Sequence, residues 1–258
     1  MEKKSSMKEG IIMSRKEDAM QCFKQLFNED ILVDDPEFKD IIVNYIYGDV
    51  YQHGTLDIQT RELILIVVNT TNMTLKALKE HVKAGLRVHL QPEHIKEAVY
   101  QCTPYIGLGK VEEALDVVNE VMKEEGIELP LKSMSTVNEE TRFDEGLKIQ
   151  VNTFGERIIE GHKNAPQELK HIQNYLSAYC FGDFYTRQGL DMKIRELLTF
   201  VMIASLGGCE SQLRGHTAGN LAVGNTRDIL IEAITQCQPY IGFPRTLNAI
   251  QIINEVTQ

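Results

Sequence analysis

Three polar side chains in the C-terminal half have a spacing that could support proton transfer or thiol chemistry. Cys209, Gln212 and His216 occupy positions i, i+3 and i+7, so on an α-helix all three project from one face. Gly207 and Gly208 directly precede the cysteine, and the break that they predict would place Cys209 at a helix N-terminus. Backbone amides and the helix dipole favour a thiolate there. The pattern therefore predicts a thiol and an imidazole that face a common pocket.

A carboxylate and two arginines complete this predicted site. Glu196 lies on an apolar stretch that precedes the cysteine, and a carboxylate in that place could orient or deprotonate His216. Cys209, His216 and Glu196 are therefore the predicted catalytic residues. Two arginines are candidates to anchor a substrate carboxylate, and the predicted substrate-binding residues are Gln212, Arg195 and Arg214.

Each of these residues also has a purely structural interpretation. Glu196 and the arginine before it could form an ordinary salt bridge near the start of a helix. His216 could be a core histidine with satisfied hydrogen bonds, and Cys209 could be a small buried hydrophobic residue, as free cysteines often are. Both interpretations stay open at the level of the sequence.

The chain contains an internal repeat. Residues 47–51 (YGDVY) recur as residues 181–185 (FGDFY) at an offset of 134, and after a one-residue insertion the offset becomes 135. Ordered agreement of this kind indicates two copies of one structural unit. The further matching segments are Leu56-Asp57 with Leu190-Asp191, Arg61-Glu62-Leu63 with Arg195-Glu196-Leu197, Gln101-Cys102 with Gln236-Cys237, residues 104–107 with 239–242, and residues 119–121 with 254–256.

The first copy keeps only part of the predicted site. Glu62 and His81 are the counterparts of the glutamate and the histidine. Thr74 stands where the second copy has its cysteine, and Ala77 stands where it has its glutamine. The first copy is therefore interpreted as the degenerate half, which could still lend a wall to the active pocket.

The elements that position these residues are predicted to be helices. Asp57 and Asp191 are good N-caps for helices with apolar interiors at residues 63–68 and 197–204. Strand-like alternation is nearly absent, which predicts an all-α fold made by tandem duplication of one helical domain. Further helices are predicted from Pro92, from Thr226, over residues 111–122 and over residues 246–256. The predicted organisation is a flexible N-terminus at 1–14, a first repeat at 15–125, a linker at 126–145 and a second repeat at 146–258.

Composition narrows the classes of ligand. The chain has 258 residues and a net charge of −10, which disfavours nucleic acid because that partner needs a basic surface. Five scattered cysteines and the lack of a leading apolar segment predict a cytoplasmic protein without a membrane span. No H-E-x-x-H motif, paired C-x-x-C motif or glycine-rich phosphate loop occurs, so no metal and no cofactor are predicted. The other cysteines, predicted to be structural, are Cys22, Cys102, Cys180 and Cys237.

The second copy carries segments that resemble the signature of the carboxymuconolactone decarboxylase family. The resemblance covers about 80 residues of each copy and implies a compact helical unit that assembles into trimers or hexamers. It also implies a small-molecule substrate and active sites at helix junctions or subunit contacts. By this analogy we expect a homo-oligomer in which three two-repeat chains mimic a hexamer. The segments are Leu190-Asp191, residues 195–197, Gly208-Cys209, Gln212-Leu213, His216 and residues 236–242.

The resemblance includes a second branch with thiol chemistry. Alkylhydroperoxidase D uses a C-x-x-C pair followed by a histidine, with a glutamate upstream. Cys209 and His216 match the first cysteine and the histidine, and Glu196 approximates the glutamate. Gln212 occupies the place of the second cysteine, so a dithiol cycle cannot run within this motif. The decarboxylase branch commonly has glutamate in that place.

Three functional hypotheses follow. The preferred one is a lyase reaction in which a small carboxylated lactone or related acid loses CO2 and His216 supplies the proton. The second is a one-cysteine thiol peroxidase or disulfide reductase in which Cys209 attacks the substrate. The third is a non-catalytic assembly or sensory protein that kept the fold.

Overall fold

The computed structural model describes residues 14–27 and 34–258, and the predicted flexible N-terminus at 1–14 lies outside the described residues except for Ser14. Within the described ranges the chain is helical and forms no strand, which confirms the all-α prediction. The chain divides into two compact units, one that ends at His53 and one that runs from Gly54 to Gln258. Each unit is described by itself.

The unit that ends at His53 contains helices α1 (Arg15–Leu26) and α2 (Pro36–Tyr45), and α2 continues as a π-helix at Ile46–Val50. A capping box starts α1, because Ser14 accepts from the Glu17 backbone and the Glu17 side chain accepts from the Ser14 backbone. Helix α2 begins at Pro36, and proline is favoured in the first turn of a helix because no amide donor is needed there. The rings of Phe23, Phe27 and Tyr47 pack together in this unit.

The unit from Gly54 to Gln258 contains the central helices of both copies. Its first five helices belong to the first copy, and its last three repeat that arrangement. They are α3 (Ile58–Asn72), α4 (Leu75–Arg87), α5 (Pro92–Gln101), α6 (Thr103–Ile106), α7 (Leu108–Glu124), α8 (Arg142–Phe154), α9 (Arg157–Asn164), α10 (Lys170–Tyr175, continued as a π-helix at Leu176–Tyr185), α11 (Met192–Leu206), α12 (Glu210–Ala222) and α13 (Arg227–Val256).

The predicted helix starts are confirmed by their caps. The Asp57 side chain accepts from Thr60 N and the Asp191 side chain accepts from Ile194 N, which satisfies amides that have no partner within the helix. Thr226 caps α13 in the same way, and Pro92 begins α5.

Helix α13 consists of two helices that are joined at a kink. Gly242 has a φ of +77° inside it, and Gly107 has a φ of +90° at the junction of α6 and α7. A left-handed residue of this kind favours glycine because a side chain would be strained. The predicted helix over 246–256 is therefore the part of α13 that follows Gly242.

The core forms around α3 and α11, which pack against each other. Residues 60–71 of α3 and 195–205 of α11 are buried, because both helices are apolar on all sides and must be surrounded by other helices. Polar side chains on these two helices consequently have to find partners inside the protein.

Residues 125–141, between α7 and α8, form no helix, in keeping with the glycine, proline and serine of that stretch. The repeat boundaries themselves stay predictions from sequence similarity. Among the helices of the described residues, none combines the length and the apolar character that crossing a bilayer requires.

Candidate active site

Glu196 on α11 and His216 on α12 form a buried acid–imidazole pair. Glu196 is fully buried, and its Oε2 forms a hydrogen bond with His216 Nδ1 at 2.9 Å. Glu196 Oε1 has no hydrogen-bond partner among the described residues. Half of this carboxylate is thus fixed to the histidine, while the other half is held without a donor.

Gly219, within one turn of His216, makes this close packing possible. A Cβ atom at Gly219 would lie 2.7 Å from Glu196 Oε2 and 2.8 Å from Phe154 Cε1. Both contacts are far below van der Waals separation, so any larger residue would displace the carboxylate or the ring. The glycine therefore lets α12 approach the glutamate and Phe154 together.

The other ring nitrogen of His216 is open. Nε2 makes no hydrogen bond within the part of the chain that the structure describes, and the side chain is 12% exposed. Phe154 and Tyr105 lie edge-on to the imidazole, with ring centroids at 5.3 and 5.8 Å. One nitrogen is held by the carboxylate, and the other is free to exchange a proton with a bound molecule.

The equivalent pair of the first copy is closed. His81 Nδ1 lies 2.8 Å from Glu62 Oε2, and His81 Nε2 lies 2.9 Å from the Tyr240 hydroxyl. The His81 side chain is only 4% exposed. Both ring nitrogens are occupied, so this histidine has no atom left for a substrate.

The tyrosine at each histidine comes from the other copy. Tyr240, on α13 of the second copy, packs against His81 of the first copy. Tyr105, on α6 of the first copy, packs against His216 of the second copy. The interplanar angle is 74° in both pairs, but the hydroxyls differ. Tyr105 OH lies 3.0 Å from Tyr185 OH and has no bond to the imidazole. The two tyrosine rings are therefore placed alike, whereas their hydroxyls differ in whether they bond to the histidine.

A buried hydrogen-bonded chain holds the Tyr105 hydroxyl away from the histidine. From Tyr105 it passes to Tyr185, whose hydroxyl lies 2.6 Å from Thr199 Oγ1, and Gln101 Nε2 donates to the same Oγ1 at 2.8 Å. Burial, and then the nearby Glu196 charge, raise the pKa of Tyr185 well above its usual range. Burial is also the main cause that raises the pKa of Tyr105. Both phenols are therefore protonated donors at neutral pH.

The first copy has no hydroxyl in the place of Thr199. Leu65 stands there, and Gln236, the counterpart of Gln101, has a buried Nε2 with no partner among the described residues. A buried amide without an acceptor costs about 1–3 kcal/mol. The bond between Gln101 Nε2 and Thr199 therefore has no counterpart at Gln236.

The predicted substrate-binding residues occupy three different environments. Gln212 is exposed on α12, one turn before His216, and its side chain makes no hydrogen bond among the described residues. Arg214 is at the surface and forms an ion pair with Glu255 at 2.8 Å. Gln212 therefore shares the face of α12 with the histidine, and its predicted role stays a prediction, as does that of Arg214.

Arg195 is wholly buried. Its guanidinium donates to Gln101 Oε1 at 2.8 Å and to Glu97 Oε2 at 3.2 Å, and Arg61 makes the matching bond to Gln236 at 2.9 Å. The two arginines therefore tie each copy to the other. A guanidinium in this position is not open to a substrate carboxylate, so the anchoring role proposed for Arg195 lacks the access that it needs.

Cys209 lies at the start of α12, seven residues before His216. It is the N-cap of α12, as predicted, and it borders a cavity of about 20 Å³ that neither Glu196 nor His216 lines. A pocket shared by Cys209 and His216 stays a prediction.

The remaining cysteines are buried, as expected for structural residues. Burial raises the pKa of the Cys102 and Cys237 thiols far above the usual range, and it raises that of Cys180 to about 12. All five cysteines are free of disulfides. The described residues also contain no group of three or more histidine, cysteine, aspartate or glutamate side chains placed to hold a metal ion.

The sequence interpretation missed Tyr105, Tyr240, Phe154 and Gly219. Tyr105 and Tyr240 belong to the segments that recur between the copies, and that recurrence was the available signal. Phe154 and Gly219 carried no such signal, since their role depends on how α8 and α12 pack.

The chain is similar to known decarboxylases in sequence and in fold. It is 31% identical over 121 residues to 4-carboxymuconolactone decarboxylase of Acinetobacter baylyi, which covers 46% of this chain and 90% of that protein. It is 30% identical over 109 residues to nitrosuccinic acid decarboxylase of Metarhizium robertsii, which covers 42% of this chain and 76% of that protein.

A solved structure extends the likeness over both copies. The crystal structure of a protein described as a gamma-carboxymuconolactone decarboxylase subunit, from Burkholderia xenovorans, superposes with a TM-score of 0.55 at 18% identity, covering 95% of this chain and 98% of that one. The sequence model of the carboxymuconolactone decarboxylase family matches twice, at residues 36–120 and 170–255. With the family signature in both halves and the helical duplication in the structure, the chain belongs to the carboxymuconolactone decarboxylase family.

Proposed function

We propose that the protein is a decarboxylase-like lyase that removes CO2 from a small carboxylated lactone or a related acid, with Glu196 and His216 as its active pair. One observation carries the proposal: Nε2 of His216 is open while Nδ1 is held by a buried carboxylate. Two relatives are named 4-carboxymuconolactone decarboxylase and nitrosuccinic acid decarboxylase. These names support decarboxylation as the reaction class.

In the proposed step the bond between the substrate's α-carbon and its carboxylate carbon breaks. The electron pair passes to a conjugated carbonyl or nitro group, and CO2 leaves. The proton on His216 Nε2 then moves to carbon, so the electron pair returns to form a C–H bond. Glu196 stabilises the imidazolium through Nδ1 before this transfer, and a solvent proton restores the imidazolium afterwards.

Tyr105 supplies the donor for the oxygen that receives the electrons. Its hydroxyl is protonated, and the ring already lies beside His216. A change in side-chain torsion would move the hydroxyl from Tyr185 toward a bound substrate. A hydrogen bond to developing negative charge in a buried site stabilises the transition state more than the ground state.

Cys209 takes no part in this step. It lies at the N-cap of α12, beside a cavity that neither Glu196 nor His216 lines, and no contact in the described residues couples its sulfur to His216. The thiol peroxidase alternative therefore has no observation that favours it over the lyase.

A substrate panel tests the function. We would offer 4-carboxymuconolactone, nitrosuccinate and related small acids in D2O, and measure CO2 release and deuterium incorporation at the former α-carbon. The expected result is turnover with one deuterium per CO2, and Cys209→Ala should match the wild type. A Cys209→Ala variant that lost turnover, or peroxide reduction by the wild type without CO2 release from any acid, would overturn the proposal.

We also propose that three two-repeat chains assemble in the cytoplasm. Equivalent apolar side chains are exposed in both copies, Phe38 and Ile41 on α2 and Ile172 and Tyr175 on α10, and exposed apolar faces of this kind mark protein–protein contacts. Light scattering after size-exclusion chromatography should give three times the chain mass. A monomer at micromolar concentration would contradict the assembly and leave the chemistry untouched.

A further inference from the structure

A cavity of about 600 Å³ lies between α5, the end of α7 and residues 129–134 of the connecting segment. Its volume falls within the range of about 300–1,000 Å³ that small-molecule sites occupy. Neither Glu196 nor His216 lines it. The cavity is therefore separate from the acid–imidazole site.

The walls of this cavity carry an excess of positive charge. Four cationic side chains and two carboxylates line it. One carboxylate, Glu97, is already neutralised, because Arg187 bonds both of its oxygens at 2.9–3.0 Å and Arg195 approaches from behind at 3.2 Å. The cations that remain are Lys96, Lys123 and Lys132, and Glu93 is the other carboxylate.

Lys96 is a buried cation without a counter-ion. Its residue is 9% exposed, its Nζ donates to Asn119 Oδ1, and it lies 5.7 Å from the Tyr100 ring centroid. It joins no ion pair among the described residues. An ammonium has three donors, and burial disfavours its charged form, which lowers the pKa of Lys96. A bound anion would supply the missing charge and acceptors.

The second copy shows that the fold does not need this lysine. Ile231 occupies the place of Lys96 and packs against the hydrophobic core. Thr235 and Gln258 stand where the first copy has Tyr100 and Lys123. The cationic lining is therefore an addition to the first copy rather than a requirement of the helical unit.

We propose that this cavity binds a small dianion, a dicarboxylate or a phosphate, with one charged group at Lys96 Nζ and the other toward Lys123 and Lys132. The first copy, whose histidine is closed, thereby keeps a ligand site of its own. This site stands independently of the decarboxylation proposed for His216.

Calorimetric titration of the full chain with succinate and, separately, with inorganic phosphate tests the proposal at matched ionic strength. We expect one of the two to bind in a one-to-one ratio, and the tighter of them identifies the anion chemistry. Lys96→Ile, which installs the residue of the second copy, should weaken that binding by about tenfold or more, as expected for a lost charge-assisted hydrogen bond. Lys83→Met removes a surface lysine that pairs with Glu124 outside the cavity and should bind as the wild type does.

Lys123→Gln provides a second variant that is safe for folding, because Lys123 is exposed and glutamine is its counterpart. It should weaken binding severalfold with unchanged thermal unfolding. Equal affinity in wild type, Lys96→Ile and Lys123→Gln would overturn the proposal, and so would the absence of binding by both anions at millimolar concentration.

Discussion

The two glutamate–histidine pairs of this protein have the same residue types and nearly the same hydrogen-bond length. They differ in whether the second ring nitrogen of the histidine is open. Glu62 and His81 are held at 2.8 Å, and Glu196 and His216 at 2.9 Å. The second nitrogen of His81 lies 2.9 Å from the Tyr240 hydroxyl, whereas that of His216 is open and the Tyr105 hydroxyl lies 3.0 Å from that of Tyr185. The two pairs therefore differ in whether a bound molecule can reach the second ring nitrogen.

One core position beside these tyrosines differs between the two copies. In the second copy Thr199 Oγ1 lies 2.6 Å from the Tyr185 hydroxyl, which lies 3.0 Å from the Tyr105 hydroxyl. In the first copy Leu65 stands in the place of Thr199 and offers no hydroxyl.

The largest expected change in kcat comes from replacing a histidine by glutamine. His216→Gln should lower kcat by about 10²- to 10⁴-fold, the range for loss of a general acid. His81→Gln should leave kcat within about twofold, because its nitrogens do not reach substrate. Steady-state CO2 release measures both. Comparable losses in the two variants would mean that the first copy also takes part in turnover.

The next test removes the charge that supports each imidazole. Glu196→Gln should reduce kcat by about 10- to 100-fold, since a hydrogen bond to a charged group contributes about 1.5–3 kcal/mol. Glu62→Gln is the matched control and should affect stability alone. Activity assays with thermal unfolding of both variants separate the two effects. An active Glu196→Gln enzyme would assign the glutamate a purely structural role.

The next test asks whether turnover depends on the tyrosine that each copy places beside the other copy's histidine. Tyr105→Phe should lower kcat by up to about tenfold, the value of one neutral hydrogen bond. Tyr240→Phe should leave turnover unchanged and lower the free energy of unfolding by about 1 kcal/mol, because His81 Nε2 loses its partner. Denaturant unfolding measures the second effect. A fall in turnover for Tyr240→Phe alone would reverse the assignment of open and closed sites.

The last test measures stability alone and concerns Thr199. Thr199→Val removes the hydroxyl that bonds to Tyr185 and Gln101, and should lower the free energy of unfolding by about 1–3 kcal/mol. Leu65→Val, at the equivalent place, removes only methylene volume and should cost about 1 kcal/mol. Urea midpoints give both values. An unchanged midpoint for Thr199→Val would show that the hydroxyl chain contributes nothing to stability.

Much of the fold could be predicted from the sequence because its signals are local. Asp57 and Asp191 are caps whose partners lie three residues away. The apolar character of residues 63–68 and 197–204 is enough to place α3 and α11 at the centre. The duplication follows from matching letters alone.

The candidate site was predictable only in part, because some of its contacts join residues that are far apart in the sequence. Glu196 and His216 lie on successive helices, so their pairing follows from the order of elements. Tyr105 reaches His216 from 111 positions away, and nothing in the local pattern specifies that contact. The N-cap position of Cys209 was predictable from the two glycines before it, and its place in the site stays a prediction.

Because the tyrosine beside each histidine is donated by the opposite copy, neither half of the chain holds a whole site. A substitution that shifts α6 is felt at the imidazole of the C-terminal half, and one that bends α13 near Gly242 is felt at the imidazole of the N-terminal half. The two copies consequently depend on each other. Either copy can lose its own reactive side chains, but its removal would take away the tyrosine beside the other copy's histidine.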